Sequence, residues 1–197
     1  AEKKAGLTLS DRAVRNRIAA AGLEGLKKLK PAAFYVPSYA SYIEVGNFDD
    51  DVKGLRECDW VIEVVVEKME IKKRLFSEKV APNLKEGAIL STNTSGLSVN
   101  EMAESLPEPV RKNFLITHFF NPPRYMRLLE IVPNKYTDPA AARFMAGFIE
   151  RRLGKGIVYA KDTPNFIANR IGVYSICNGM RYMIEMELTV EEVDAVS

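Results

Sequence analysis

Asp59-Trp60-Val61-Ile62-Glu63-Val64-Val65-Val66 is the stretch whose reading decides the fold. It is a near-continuous apolar run, as expected of a parallel strand covered on both faces. Working outward from it toward the C-terminus, helix and strand alternate. A helix is expected over 69–84, with Ile71, Leu75, Phe76 and Val80 on one side and Lys72, Lys73 and Arg74 on another. Ala88-Ile89-Leu90-Ser91-Thr92 reads as a second buried strand that breaks into the polar turn Asn93-Thr94-Ser95-Gly96. Ser98 and Glu101 form a capping box for a helix over 98–106. A third strand ends at His118 and a fourth carries Glu130. A helix then runs from Asp138-Pro139 to Leu153, and Gly156-Ile157-Val158-Tyr159-Ala160 closes the series. This order predicts an α/β fold: a mostly parallel sheet with helices on both faces and ligands at the carboxyl ends of its strands.

Upstream of the run the pattern is different. Ser10 and Asp11 start a helix whose Val14, Ile18, Leu23, Leu26 and Leu29 recur at roughly helical spacing up to Lys30-Pro31. Its Arg and Lys residues form a solvated face that could also meet a phosphorylated ligand. Residues 31–42 read as an irregular connection, and Tyr42-Ile43-Glu44-Val45 with Gly46-Asn47 as a short strand and turn. Asp49-Asp50-Asp51 opens a short helix ending near Glu57, its acids complementing the helix dipole rather than holding a metal. Downstream, the character changes after Asp162-Thr163-Pro164. A long helix is expected from Asn165 to about Glu187, then another capped by Thr189. This reads as the start of an all-helical second domain, inside which the sequence stops at Ser197.

Composition narrows the function. The 197 residues are 47% hydrophobic and 27% charged with a net charge of +2, which gives no footing for nucleic-acid binding. No apolar run has the length of a membrane span, and Ala1-Glu2-Lys3-Lys4 does not open a signal peptide. Cys58 and Cys177 lie far apart inside apolar segments and read as buried free thiols, so a cytoplasmic setting is expected.

His118, the single histidine, is the one side chain that titrates near neutrality unaided. It ends the apolar run Phe114-Leu115-Ile116, and Asn121 with two prolines then stops the strand. Glu130 sits among Leu, Ile and Val, where an unpaired charge is costly, so an imidazole on the neighbouring strand would suit it. Such a pair is the base and orienter of general acid–base catalysis. The competing reading is a structural histidine and a glutamate reaching solvent. Other polar residues gather at the same strand ends: Glu67 after one strand, Asn93 to Ser95 after the next, and Asn121 beyond His118.

Five motifs in this order resemble the 3-hydroxyacyl-CoA dehydrogenase family. They are the 59–66 run continued to Glu67, Ser91-Thr92-Asn93-Thr94-Ser95, His118-Phe119-Phe120-Asn121-Pro122, Leu128-Leu129-Glu130-Ile131-Val132, and Lys161-Asp162-Thr163-Pro164-Asn165-Phe166-Ile167-Ala168-Asn169-Arg170. The stretch before residue 59 is similar to the family's longer prokaryotic branch, in which an enoyl-CoA hydratase-like region is often fused downstream. The resemblance implies a Rossmann-like NAD-binding domain over 1–163 and the beginning of a helical domain over 164–197, which in this family forms dimers. It implies NAD as cofactor, an acyl-CoA thioester as substrate, and oxidation of 3-hydroxyacyl-CoA to 3-oxoacyl-CoA in fatty acid β-oxidation. By the same resemblance His118 is the catalytic base and Glu130 its orienting carboxylate. Ser95 holds the substrate oxygen, Asn169 acts from across the cleft, and Glu67, Lys72, Asn93 and Asn121 contact the cofactor. No metal is implied. One feature departs from the family: the Gly-x-Gly-x-x-Gly loop and its strand are missing, and the adenine half-site with them. Two other readings compete, a silent acyl-CoA-binding homologue and a dehydrogenase of free hydroxy acids.

Overall fold

The computed structural model describes residues 6–196, so the expectation about Ala1 to Lys4 lies outside the described residues. Five strands form one sheet in the order β1-β2-β3-β4-β5: β1 Trp60–Glu63, β2 Ile89–Thr92, β3 Phe114–Phe119, β4 Leu128–Pro133 and β5 Gly156–Tyr159. The β1/β2, β2/β3 and β4/β5 pairs are parallel, and β3/β4 is antiparallel. The alternation of side chains along each strand gives the sheet two apolar faces. Leu90, Phe114, Ile116 and Val132 point to one, with Phe76, Val80, Val99 and Met102. Ile89, Leu115, Leu129 and Ile131 point to the other, under Met145 and Ile149 of the helix Pro139–Leu153.

The helices that cover these faces follow from local sequence. Residues 69–83 wind as one rod, α-helical over Met69–Leu75, a π turn over Phe76–Val80 and a 3-10 turn over Ala81–Asn83. On it Phe76 meets Phe114 edge-on, ring centroids 5.4 Å apart. The helix Val99–Ala103 begins at Ser98, whose hydroxyl accepts from the Glu101 amide. Glu101 itself does not close the box; its carboxylate goes to Lys73 at 2.6 Å. The helix Pro139–Leu153 has the bounds expected of it: Asp138 caps one end, and Gly154 at φ 65° the other.

Several expectations are corrected. β1 stops at Glu63 because the next free amide, Val65 N–H, donates to the Glu63 carboxylate instead of continuing the ladder. It is also an edge strand among the described residues, with Ile62, Val64 and Val66 exposed, so the deciding run is not covered on both faces. The stretch 42–45 is no strand: Tyr42 closes the 3-10 helix Pro37–Tyr42, and the Val45 carbonyl accepts from the Asn16 side chain. The first long helix breaks at Asn16 into Arg12–Arg15 and Arg17–Leu26, and Ile18, Leu26 and Leu29 lie exposed. Asp50 and Asp51 accept from Arg15 and Arg12, and a 3-10 helix, Val52–Glu57, follows. Asn47 and Arg15 hold the Asp50 carboxyl below its ordinary value.

The long C-terminal helix starts at Ala168, not Asn165, and runs to Glu185; a second spans Val190–Val196, boxed by Thr189 and Glu192. Neither buries a residue, and Ile171, Tyr174, Ile176 and Ile184 stand exposed. Cys177 is exposed and Cys58 half-buried, both unpaired, so neither is the buried thiol expected. No helix among the described residues is long and apolar enough to cross a membrane.

Candidate active site

The antiparallel register of β3 and β4 sets His118 directly opposite Glu130, on one face of the sheet. Their side chains meet: His118 Nδ1 is 2.7 Å from Glu130 Oε2. Glu130 is fully buried, as its apolar flanks foretold, and its burial is compensated on both oxygens. Oε1 accepts the amides of Ile167 (3.0 Å) and Ala168 (2.9 Å), at the start of the helix Ala168–Glu185. Those are amides that a helix leaves without internal partners, at its positive end. Asn165 and Phe166, at φ 63° and 46°, turn the chain so that it presents them. Non-glycine residues in that region cost about 1–3 kcal/mol each, a strain typical of functional sites.

With the carboxylate accepting the Nδ1 proton, Nε2 is left to accept another, and it has no partner among the described residues. Phe120 and Phe166 flank the ring at 4.5 and 5.6 Å between centroids and keep it only 5% exposed. The structure therefore brings His118 and Glu130 together, and the solvent-reaching alternative for Glu130 does not hold.

The other expected residues line the ends of β1, β2 and β3. Glu67 Oε1 accepts the Thr94 hydroxyl and the amides of Ser95 (3.1 Å) and Gly96 (3.4 Å), so it shapes the turn that presents Ser95. Partial burial pushes the Glu67 carboxyl up, but these donors with Lys72 outweigh it and hold it below its ordinary value. Lys72 is no solvated lysine: it is 1% exposed, its ammonium 2.8 and 2.9 Å from the Glu63 oxygens and 3.3 Å from Glu67 Oε2. Asn93 ties two strand ends, its amide on the Glu63 carbonyl and its Oδ1 accepting from Phe119 at 2.9 Å. Ser95 and Asn169 are half-buried and Asn121 is exposed; their side chains make no hydrogen bond among the described residues.

Two residues escaped sequence reasoning. Glu63 carried the same signal as Glu130, a carboxylate inside an apolar run. Asp162 gave none, yet it accepts from Ser98, from the Val99 amide and from Asn100, clamping the 161–166 segment to the helix Val99–Ala103.

The family model for the NAD-binding domain of 3-hydroxyacyl-CoA dehydrogenase matches residues 5–163. The chain belongs to this family. It is 49% identical over 196 residues to a probable 3-hydroxyacyl-CoA dehydrogenase of Bacillus subtilis, covering 100% of this chain and 25% of that protein. It is 41% identical to a putative fatty acid oxidation complex trifunctional enzyme of Rickettsia felis, covering 92% of this chain and 25% of the relative. The crystal structure of M. tuberculosis FadB2 superposes with a TM-score of 0.73 at 30% identity, over 91% of this chain and 61% of that one. The chain thus spans about a quarter of the length of these two curated relatives.

The family's domain binds NAD, and part of this site fits a dinucleotide. Glu67 offers a carboxylate with 42% of its side chain exposed at the carboxyl end of β1, an acceptor suited to a ribose diol. The Asn93 side-chain amide and the Ser95 hydroxyl stand at the end of β2. A glycine-rich pyrophosphate loop is not among the described residues.

Proposed function

We propose that the protein carrying this chain is an NAD-dependent 3-hydroxyacyl-CoA dehydrogenase, which oxidises the 3-hydroxyl of an acyl-CoA thioester to a ketone in fatty acid β-oxidation. The observation that carries the reading is the His118–Glu130 pair, 2.7 Å apart and buried, with Nε2 unpartnered at the end of the sheet. Bound NAD supplies the hydride acceptor. The residues of the chain move the proton. His118 Nε2 takes it from the 3-hydroxyl while Glu130 holds the opposite nitrogen and stabilises the positive charge on the ring. Ser95 hydrogen-bonds the same oxygen, and Asn169, in the first turn of the helix that Glu130 anchors, approaches from the other side. Glu67, Lys72, Asn93 and Asn121 form the nicotinamide half of the cofactor site.

The domain division belongs to the same reading: residues 1–163 bind the dinucleotide, and 164–197 begin the helical domain. Three things support it: the change of pattern after Pro164, two helices that bury nothing, and a family model that ends at 163. The exposed apolar face of Ala168–Glu185 suits dimerisation through that domain. The relative described as trifunctional supports a fused enoyl-CoA hydratase-like region. Two unpaired thiols suit a cytoplasmic setting.

The test is NADH consumption with acetoacetyl-CoA on the whole protein, with His118→Ala beside it. The expected loss in the variant is about 10²- to 10⁴-fold. A variant as fast as wild type removes His118 from the chemistry. Reduction of acetoacetate as fast as of its thioester would move the assignment to free hydroxy acids.

A further inference from the structure

We propose that Glu63 is a positioning residue for this oxidation: it pins the Lys72 ammonium beneath Glu67 and thereby sets where Glu67 and the Ser95 turn stand. The inference rests on the dehydrogenase reading of the site.

Glu63 accepts four hydrogen bonds from three donors. The Lys72 ammonium reaches both its oxygens at 2.8 and 2.9 Å, the Thr92 hydroxyl donates to Oε2 at 2.6 Å, and the Val65 amide donates to Oε1. The pair is dry, with side chains 1% and 2% exposed. The network continues outward, for Lys72 Nζ also lies 3.4 Å from the Val65 carbonyl and 3.3 Å from Glu67 Oε2. The other Glu67 oxygen holds the amides of Ser95 and Gly96. One continuous path therefore runs from Glu63 through Lys72 and Glu67 to the turn carrying Ser95.

A single ammonium is shared unequally between two carboxylates. Glu63 holds it at shorter range and with both oxygens, away from water, where Coulombic attraction is strongest. Glu67 receives only the residual attraction, so its carboxylate stays half-exposed and free to accept from a ligand hydroxyl. Take the charge off Glu63, and Lys72 has one carboxylate left to turn to, the half-exposed Glu67. It then draws Glu67 inward, away from the Ser95 and Gly96 amides. Both the cofactor acceptor and the substrate-holding turn shift, while His118 and Glu130 are untouched.

A buried ion pair can also serve stability alone, so the test separates the two roles. Glu63→Gln, Lys72→Met and the double variant are made in the whole protein. Thermal unfolding, NADH affinity by fluorescence without substrate, and kcat with acetoacetyl-CoA are read for each. Glu63→Gln is expected to weaken NADH binding and lower kcat by about 10- to 100-fold each, the scale of a catalytic frame displaced by an ångström. In the double variant the charges balance again, and the unfolding midpoint returns toward wild type. NADH affinity and kcat stay impaired, since no ammonium then braces Glu67 from beneath. Full recovery of both along with the midpoint overturns the proposal, as does Glu63→Gln within twofold of wild type on both. A wild-type protein that binds NADH but never consumes acetoacetyl-CoA sinks the dehydrogenase reading instead, and leaves the NADH comparison readable.

Discussion

Glu63 and Glu130 solve one problem in two ways. Each is a carboxylate inside an apolar strand, at most 5% exposed, and each is satisfied on both oxygens. Glu130 meets an imidazole, which gives and takes a proton near neutrality; Glu63 meets an ammonium, which does not. Burial and charge compensation are alike in the two. The partner decides whether the pair does chemistry or holds a frame. A buried carboxylate in a sequence therefore marks a site, and the residue facing it says what kind.

The substitution with the largest expected effect is at the chemical pair. Glu130→Gln keeps the size and the acceptor oxygen that holds the Ile167 and Ala168 amides. Its NH2 must then donate to His118 Nδ1, which forces the ring proton onto Nε2 and abolishes the base. The corresponding change in a serine protease triad costs about 10⁴-fold, and a loss of about 10²- to 10⁴-fold in kcat is expected here with little change in unfolding. Full activity in this variant would remove the distinction between the two carboxylates.

Lys72→Met strikes the other pair and should invert the balance, a large stability cost with the catalytic dyad intact. It leaves the Glu63 charge buried with only Thr92 and the Val65 amide, and removing one partner of such a pair costs about 3–5 kcal/mol. Urea unfolding measures it. A loss under 1 kcal/mol would mean that the ion pair contributes little to holding this part of the fold.

The sequence made the middle of the fold legible and its margins much less so, for physical reasons. The helix Pro139–Leu153 was readable end to end because Asp138, Pro139 and Gly154 are local signals that nothing remote overrides. Likewise the buried runs of β2, β3 and β4 were readable from apolar pattern alone. The helical spacing around Ile18 was readable too, but periodicity does not say what covers an apolar face, and among the described residues nothing covers Ile18. The start of the helix Ala168–Glu185 was misplaced by three residues because a carboxylate 38 positions away, Glu130, captures its first amides. Lys72 lay on what reads as a charged face, and only the fold shows Glu63 beneath it. At the site, a lone histidine and a stranded charge made the pair His118–Glu130 one of two open readings, and family likeness favoured it. Ser95 and Asn121 were legible as polar residues at strand ends, but their roles, and Asn169 altogether, only through family likeness.

The smallest expected effect concerns Glu67, which is more exposed than any member of the two pairs. Burial works against its charge, but the Thr94 hydroxyl, the Ser95 amide and Lys72 prevail, so its folded pKa lies below the ordinary value of 4.5. The unfolded state therefore binds the proton more readily. The stability this carboxylate contributes is fully present above pH 4.5 and is lost as the pH falls through the lowered folded value. Thr94→Val removes the leading favourable donor without changing size, so the carboxyl should titrate closer to its ordinary value and that acid-range loss should shrink. NMR titration of isotopically labelled glutamate in the two proteins reads this directly. A wild-type Glu67 that titrates at or above its ordinary value would mean that burial outweighs the Thr94, Ser95 and Lys72 donors together.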